Sequence, residues 1–211
     1  MALTGLVMVG FLLVHMYGNL KAFQGPEAFN GYAEWLKHDI LYPLVPHGTF
    51  IWIFRAVMLA AIVAHMYAAW VLTQRAHAAR SAKYETSKRL AQTYSARTMR
   101  WGGVLLAGFL VFHLLQFTAQ VTRTGFDVGA GAYEMVVASF SSWWLVLAYA
   151  AWTLLVCMHV RHGVWSALAT LGANTSAKAR SFLNGLAWVI AVLLFVGFMI
   201  MPLGVLFGMV R

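Results

Sequence analysis

Acidic residues are scarce in this 211-residue chain, with six Asp and Glu against fifteen Lys and Arg, and charged residues of both signs make up only 10%. A soluble globular domain carries about 25%, so most of this surface is not built to meet water. None of the six acids falls in an apolar run. That argues against a di-iron site, which needs paired carboxylates, and against a proton relay through a membrane, which favours them. Cysteine is nearly missing as well. A single thiol, Cys157, cannot close an intrachain disulfide or by itself build a Cys-ligated zinc or iron–sulfur site. Set in an apolar run, it reads as a small buried hydrophobe. The net charge of +9 would raise nucleic acid as a partner in a soluble protein. Here the basic residues gather in two connecting segments without interleaved aromatics, so no nucleic acid is expected.

What is abundant is apolar sequence: 62% of residues are hydrophobic, and the mean hydropathy is +0.73. A membrane span needs about 20 mostly apolar residues. Five runs qualify, at residues 2–20, 49–72, 101–121, 143–168 and 182–207. Trp52, Trp70, Trp101, Trp143, Trp144 and Trp165 mark several of their ends, where tryptophan collects at membrane interfaces. Pro202 sits late in the fifth run and is expected to kink it. The pattern predicts an all-α integral membrane protein, one domain over residues 1–211, folded as a five-helix transmembrane bundle. Met1 opens almost directly into an apolar stretch, with no basic segment or small-residue cleavage site before Gly25. That is not the pattern of a removable signal peptide.

Charge orients the bundle. Residues 75–98 hold Arg75, Arg80, Lys83, Lys88, Arg89 and Arg97 against Glu85, and residues 169–181 add Lys178 and Arg180. The other two connections, 21–48 and 122–142, carry Glu27, Glu34, Asp39, Asp127 and Glu134 beside Lys21, Lys37 and Arg123. Basic loops mark the cytoplasmic side, which puts the N-terminus inside and the C-terminus outside. The first outer connection is long for a loop. After the turn signal Gly25-Pro26, the residues Tyr32, Trp35, Leu36, Ile40, Leu41 and Tyr42 predict a short helix lying on the bundle.

Four of the eight histidines, His15, His65, His113 and His159, lie well inside four different runs. One histidine in a membrane helix can be no more than neutral glue between helices. Four, one per helix and with almost no other ionisable group at that depth, point to function, and imidazole is a common axial ligand of haem iron. With a rise of about 1.5 Å per residue, His15 and His113 lie roughly 20 and 18 Å from the inner ends of their helices, and His65 and His159 roughly 11 and 14 Å. Each level therefore holds two histidines from different helices, as a bis-histidine haem clamped between helices requires. A zinc site would instead need three or four converging ligands.

Other residues fit around such groups. Gly10, Gly18, Gly108 and Gly163 neighbour the histidines in sequence and would admit a large ligand near the backbone. Met16, Met66 and Met158 are adjacent to histidines but point about 100° away and read as gap fillers. Arg161 and His162 are candidate partners for the anionic propionates of the inner group. Arg55 is a candidate for the outer one, or it snorkels to the interface.

The motifs that carry these residues resemble a family. The opening Met-Ala-Leu-Thr-Gly-Leu, then His15-Met-Tyr-Gly-Asn-Leu-Lys and Gly25-Pro-Glu-Ala-Phe-Asn-Gly-Tyr, look like the start of the cytochrome b558 family of succinate dehydrogenases. So do His65, Met99-Arg-Trp-Gly-Gly with Phe109-Leu-Val-Phe-His113, and His159-Val-Arg-His-Gly-Val-Trp-Ser. These are single-chain, five-helix, two-haem membrane anchors of succinate:menaquinone oxidoreductases and related fumarate reductases, and the resemblance covers essentially the whole chain. It implies two haem b groups, a proximal one on His65 and His159 and a distal one on His15 and His113. It also implies a flavoprotein subunit with FAD and an iron–sulfur subunit with its clusters as partners at the cytoplasmic face of a bacterial inner membrane. Electrons would pass through the two haems to quinone, with menaquinone expected, while no residue of this chain does succinate chemistry. For the quinone, the resemblance points to the first outer loop, with Glu34, Tyr32 and Trp35 as candidates. Arg55 stands in span two where the family pattern leads one to expect an acid. The other readings are a di-haem anchor of a fumarate reductase or another membrane dehydrogenase, and a non-redox transporter or bare anchor. A higher oligomer is compatible with all of them.

Overall fold

The computed structural model describes the backbone of residues 1–78 and 94–211. Arg80, Lys83, Glu85, Lys88 and Arg89 of the first basic connection lie outside the described residues. Seven α-helices are described: α1 (Ala2–Leu20), α2 (Pro26–His38), α3 (Thr49–Ala78), α4 (Tyr94–Phe117), α5 (Ala132–Phe140), α6 (Trp143–Thr170) and α7 (Ala177–Leu206), with a 3-10 turn at Lys21–Gln24. Five of them, α1, α3, α4, α6 and α7, are long and apolar enough to cross a membrane. The chain is a multi-pass membrane protein. The intervals agree with those expected from hydropathy except at helix ends.

The differences at the ends have local causes. The third span stops at Phe117 rather than running to 121. There Gln120 takes a left-handed backbone conformation (φ 53°), and its side-chain oxygen accepts from the Gly129 amide at 3.0 Å. The fifth span starts earlier than expected, at Ala177, because the Ser176 hydroxyl accepts from the Ala179 amide at 3.1 Å and satisfies an otherwise orphaned donor. α7 passes through Pro202 and ends at Leu206. The outer-loop helix forms, but over 26–38. Pro26 at its first turn, Glu27 near its N-terminus and Lys37 and His38 at its end all suit the helix dipole. Ile40, Leu41 and Tyr42 fall beyond it in turns. α5, in the second connection, was not signalled by any apolar run of span length.

α6 and α7 form the most extensive helix contact, and α1 packs on both. α3 is carried chiefly by α1 and α2, and α4 by α6. Lipid offers no hydrophobic drive between helices, so close approach depends on small residues. At Gly197 of α7 the Met16 side chain occupies the space a Cβ would need, and at Gly18 of α1 the Tyr32 ring comes within 2.9 Å of that position. α3 exposes Trp52, Val57, Leu59, Val63, Tyr67 and Trp70, which suits a helix facing hydrocarbon on several sides.

The ends of the bundle differ. One end, called the capped end here, is covered by α2 and α5, which pack on each other. The Tyr133 amide donates to Asn30 Oδ1 at 2.9 Å, and the Tyr133 hydroxyl donates to the Arg211 carbonyl at 2.8 Å. A core of Phe29, Phe140, Leu145, Tyr149, Met201 and others lies beneath. The opposite end, the basic end, carries the N-terminus and the helix ends with Arg75, Arg100, Lys178 and Arg180.

Candidate functional site: two histidine pairs

α1 and α4 each bring one histidine to the level nearer the capped end. The ring centres of His15 and His113 lie 6.0 Å apart with planes at 81°. α3 and α6 do the same nearer the basic end, where His65 and His159 lie 6.3 Å apart with planes at 56°. An imidazole nitrogen lies about 1.1 Å from its ring centre and binds a first-row metal at about 2.0–2.1 Å, so two imidazoles on opposite sides of one metal have centres about 6.3 Å apart. Both spacings match that value. Among the described residues no group of three or more His, Cys, Asp or Glu converges.

The pair near the capped end lines a cavity of about 340 Å³. Leu12, Trp152, Val156 and Phe198 give it apolar walls, while Asn19, Lys37, Arg55 and Gln120 supply polar and cationic groups. Such a chamber, mostly apolar with a few placed polar groups, is the usual form of a cofactor site. Phe11 stacks on His15 at 5.3 Å, and Trp152 lies 5.6 Å from His113. Behind His113, its Nδ1 is 3.2 Å from the Tyr149 hydroxyl. That hydroxyl donates to Gln116 Oε1 at 2.7 Å.

The pair near the basic end has fewer polar partners. His65 Nδ1 lies 3.2 Å from Thr4 Oγ1, whose hydroxyl donates to the Met1 carbonyl at 3.0 Å. That spends the only Thr4 proton, so His65 Nδ1–H is the donor to Thr4. His159 Nδ1 is buried without a hydrogen-bond partner among the described residues. Glycines on the facing helices lie against both rings: a Cβ at Gly5 would stand 3.5 Å from His65 Cε1, and one at Gly103 would stand 3.8 Å from His159 Cε1, both ordinary contact distances. At Gly10, Gly102, Gly108 and Gly163 a Cβ would meet nothing within 4 Å, which leaves the backbone open at each.

The candidate propionate partners are placed differently from one another. Arg55 lines the cavity at the capped end and also lies 4.8 Å over the Trp52 ring. Arg161 engages α7: its Nη2 donates to Asn184 Oδ1 at 2.7 Å, and its guanidinium lies 5.0 Å from the Trp188 ring centre. His162 is half-buried beside Trp165 at 6.5 Å.

The candidate quinone residues share α2. Tyr32 stacks on Trp35 at 6.0 Å, and Lys21 lies 5.4 Å from its ring centre. Glu34 is exposed and accepts from Lys37 Nζ at 2.7 Å. That hydrogen bond holds its carboxyl below the usual range. Of α2's own residues, Phe29 and Lys37 line the cavity.

Sequence reasoning missed Thr4, Gln116 and Tyr149. A signal existed for Gln116, a polar residue three positions after His113 in an apolar span and so on the same helix face. Compared with known proteins, the chain matches no family model, no curated protein and no solved structure.

Proposed function

We propose that this chain is the cytochrome b membrane-anchor subunit of a succinate:quinone oxidoreductase. In this reading it passes electrons from an iron–sulfur partner through two haem b groups to a quinone, with menaquinone as the expected one. The observation that carries the reading is the spacing of the two histidine pairs, 6.0 and 6.3 Å between ring centres, on four separate spans. The motif resemblance over the whole chain supports the choice of enzyme.

Each haem, when bound, supplies a one-electron relay. His65 and His159 would hold the proximal group and His15 and His113 the distal one. Arg55, in the wall of the distal cavity, is placed to meet an anionic edge there. Lys37 lies in the same wall. Arg161 and His162 sit toward the basic end, where the proximal group's propionates would lie. Leu12, Val156 and Phe198 would limit water around His15 and His113. Charge asymmetry of the connections supports a cytoplasmic N-terminus, and the motif resemblance supports a bacterial membrane with the flavoprotein and iron–sulfur subunits docked at the basic end. Quinone would then react near the capped end, where α2 presents Tyr32, Glu34 and Trp35. The same pairs would serve a fumarate reductase or another membrane dehydrogenase.

Reduced-minus-oxidised spectra of the chain purified from its native membrane test the redox part. Two b-type haems per chain are expected, and none would overturn the reading. Copurification with a flavoprotein bearing covalent flavin is the outcome expected of a succinate dehydrogenase. A different catalytic partner would move the chain to another enzyme.

A further inference from the structure

Polar side chains are costly inside a membrane bundle unless they are satisfied. Gln116 and Ser139 are nevertheless fully buried, and together with Thr124 and Tyr149 they form one connected network that ends on His113. Its contacts are His113 Nδ1 to Tyr149 Oη at 3.2 Å, Tyr149 Oη to Gln116 Oε1 at 2.7 Å, and Gln116 Nε2 to Thr124 at 2.7 Å and to Ser139 at 3.0 Å. The last is between the Thr124 and Ser139 hydroxyls at 2.8 Å.

Counting protons fixes the direction of the whole chain. Each contact needs one proton. If the amide oxygen of Gln116 faced Thr124 and Ser139, both hydroxyls would have to donate to it. No proton would then remain for the contact between them. With the amide nitrogen facing them, its two protons serve both contacts, and one hydroxyl proton serves the third. The Gln116 oxygen therefore faces Tyr149 and takes the only Tyr149 proton. The contact to His113 can then be filled only by His113 itself, donating from Nδ1. In neutral His113 the lone pair is left on Nε2.

We propose that Gln116 and Tyr149 are positioning residues that hold His113 in the Nδ1–H tautomer and so keep Nε2 available as a metal ligand. This rests on the haem reading above. Ligating histidines commonly donate their second ring N–H to such a partner, which fixes the ring and raises its basicity. What is specific here is that the partner's direction is set two residues further back, by the hydroxyls of Thr124 and Ser139 on other segments.

The consequence is unusual in sign. Gln116→Leu removes the acceptor of the Tyr149 proton, which then turns to His113 Nδ1. The ring is driven to the Nε2–H tautomer, and outer-haem retention falls by about 10- to 100-fold. Tyr149→Phe removes that proton altogether and leaves Nδ1–H merely without an acceptor, so the loss is smaller and the reduction potential of the outer haem rises. The double variant Gln116→Leu/Tyr149→Phe therefore regains outer haem relative to Gln116→Leu alone.

The experiment measures haem per chain and redox titrations of each haem in the complex purified from membranes, for the two single variants and the double. The inner haem on His65 and His159 serves as the internal gauge of folding. Recovery in the double variant is the expected result. A double variant as poor as Gln116→Leu, or worse, with the inner haem intact, would mean that the network only packs the helices. If the unaltered chain carries no haem, the functional reading fails, and the inference goes with it for that separate reason.

Discussion

The two ends of the bundle hold their histidines by different means. Near the capped end, His113 is backed by a hydrogen-bond network of four side chains centred on buried Gln116 and Ser139, and the pair faces a cavity lined by several helices. Near the basic end, His65 has one hydroxyl behind it, Thr4, close to the first residue. His159 has a buried Nδ1 without a partner among the described residues, and beside it the bare backbone of Gly103. The hydrogen bonds thus extend into a network behind His113 at one site, whereas at the other His159 is held by packing alone. A polar network imposes a single tautomer and ring orientation. A packed ring keeps its place only while the neighbouring surface keeps its shape.

The largest effect should come from the histidines themselves, and it tests whether the sites are separate at all. His15→Ala or His113→Ala should abolish one haem signal, and His65→Ala or His159→Ala the other. Within a pair the two variants should give the same spectrum. If His15→Ala and His65→Ala delete the same spectral species, the division into two ends collapses.

Next comes a change of shape at the packed site. Gly103→Leu would drive a side chain toward His159, whose ring a Cβ at this position already approaches to 3.8 Å. Overpacking of this kind costs about 1–3 kcal/mol. The inner haem should become substoichiometric while the outer one stays near full occupancy. Equal loss at both sites would show that the ends are mechanically coupled.

Much of this arrangement is readable from sequence, and the reason is the solvent. A bilayer demands long apolar helices, so the five spans stand out in composition. That His15 neighbours His113 and His65 neighbours His159 follows from helical rise and alternating direction. What these pairs hold is a separate question. The residues behind the histidines were less legible. Tyr149 meets His113 across two helices, and nothing local in either span reports which faces will meet. Arg161 follows His159 by two, a spacing that turns it about 200° around the helix, and no local feature of the sequence reports that it bonds to Asn184 of α7. α5 is not legible from hydropathy because its nine residues are fewer than half of what a span needs.

A smaller effect compares the hydrogen bonds behind each pair. Thr4→Val removes the Thr4 hydroxyl from His65 Nδ1 but keeps the side-chain shape. The net value of such a bond is about 0.5–1.5 kcal/mol. The potential of the inner haem should shift upward less than that of the outer haem in Tyr149→Phe, because the Met1 backbone also hydrogen-bonds His65 and remains as a partner. A larger shift from Thr4→Val would reverse the ranking of the two sites.

The smallest expected effect lies in the cap itself, and its sign is set by pH. Glu34 is exposed, and its carboxyl is held below the usual range first by the hydrogen bond from Lys37, with the charges of Lys37 and His38 adding to it. A group whose folded pKa is depressed stabilises the fold above its unfolded pKa, and that contribution is lost as pH falls through the folded value. Lys37→Met should therefore lower stability slightly at pH 7, by no more than about 0–1 kcal/mol for a surface pair. The difference from the unaltered chain should vanish in acid once Glu34 is protonated in both. Thermal loss of the outer haem band, followed at pH 7 and again well below the carboxylate range, measures this directly. A Lys37→Met effect that persisted in acid would come from Lys37 as part of the cavity wall, not from its pairing with Glu34. The cap would then belong to the outer site, no longer a surface layer resting on it.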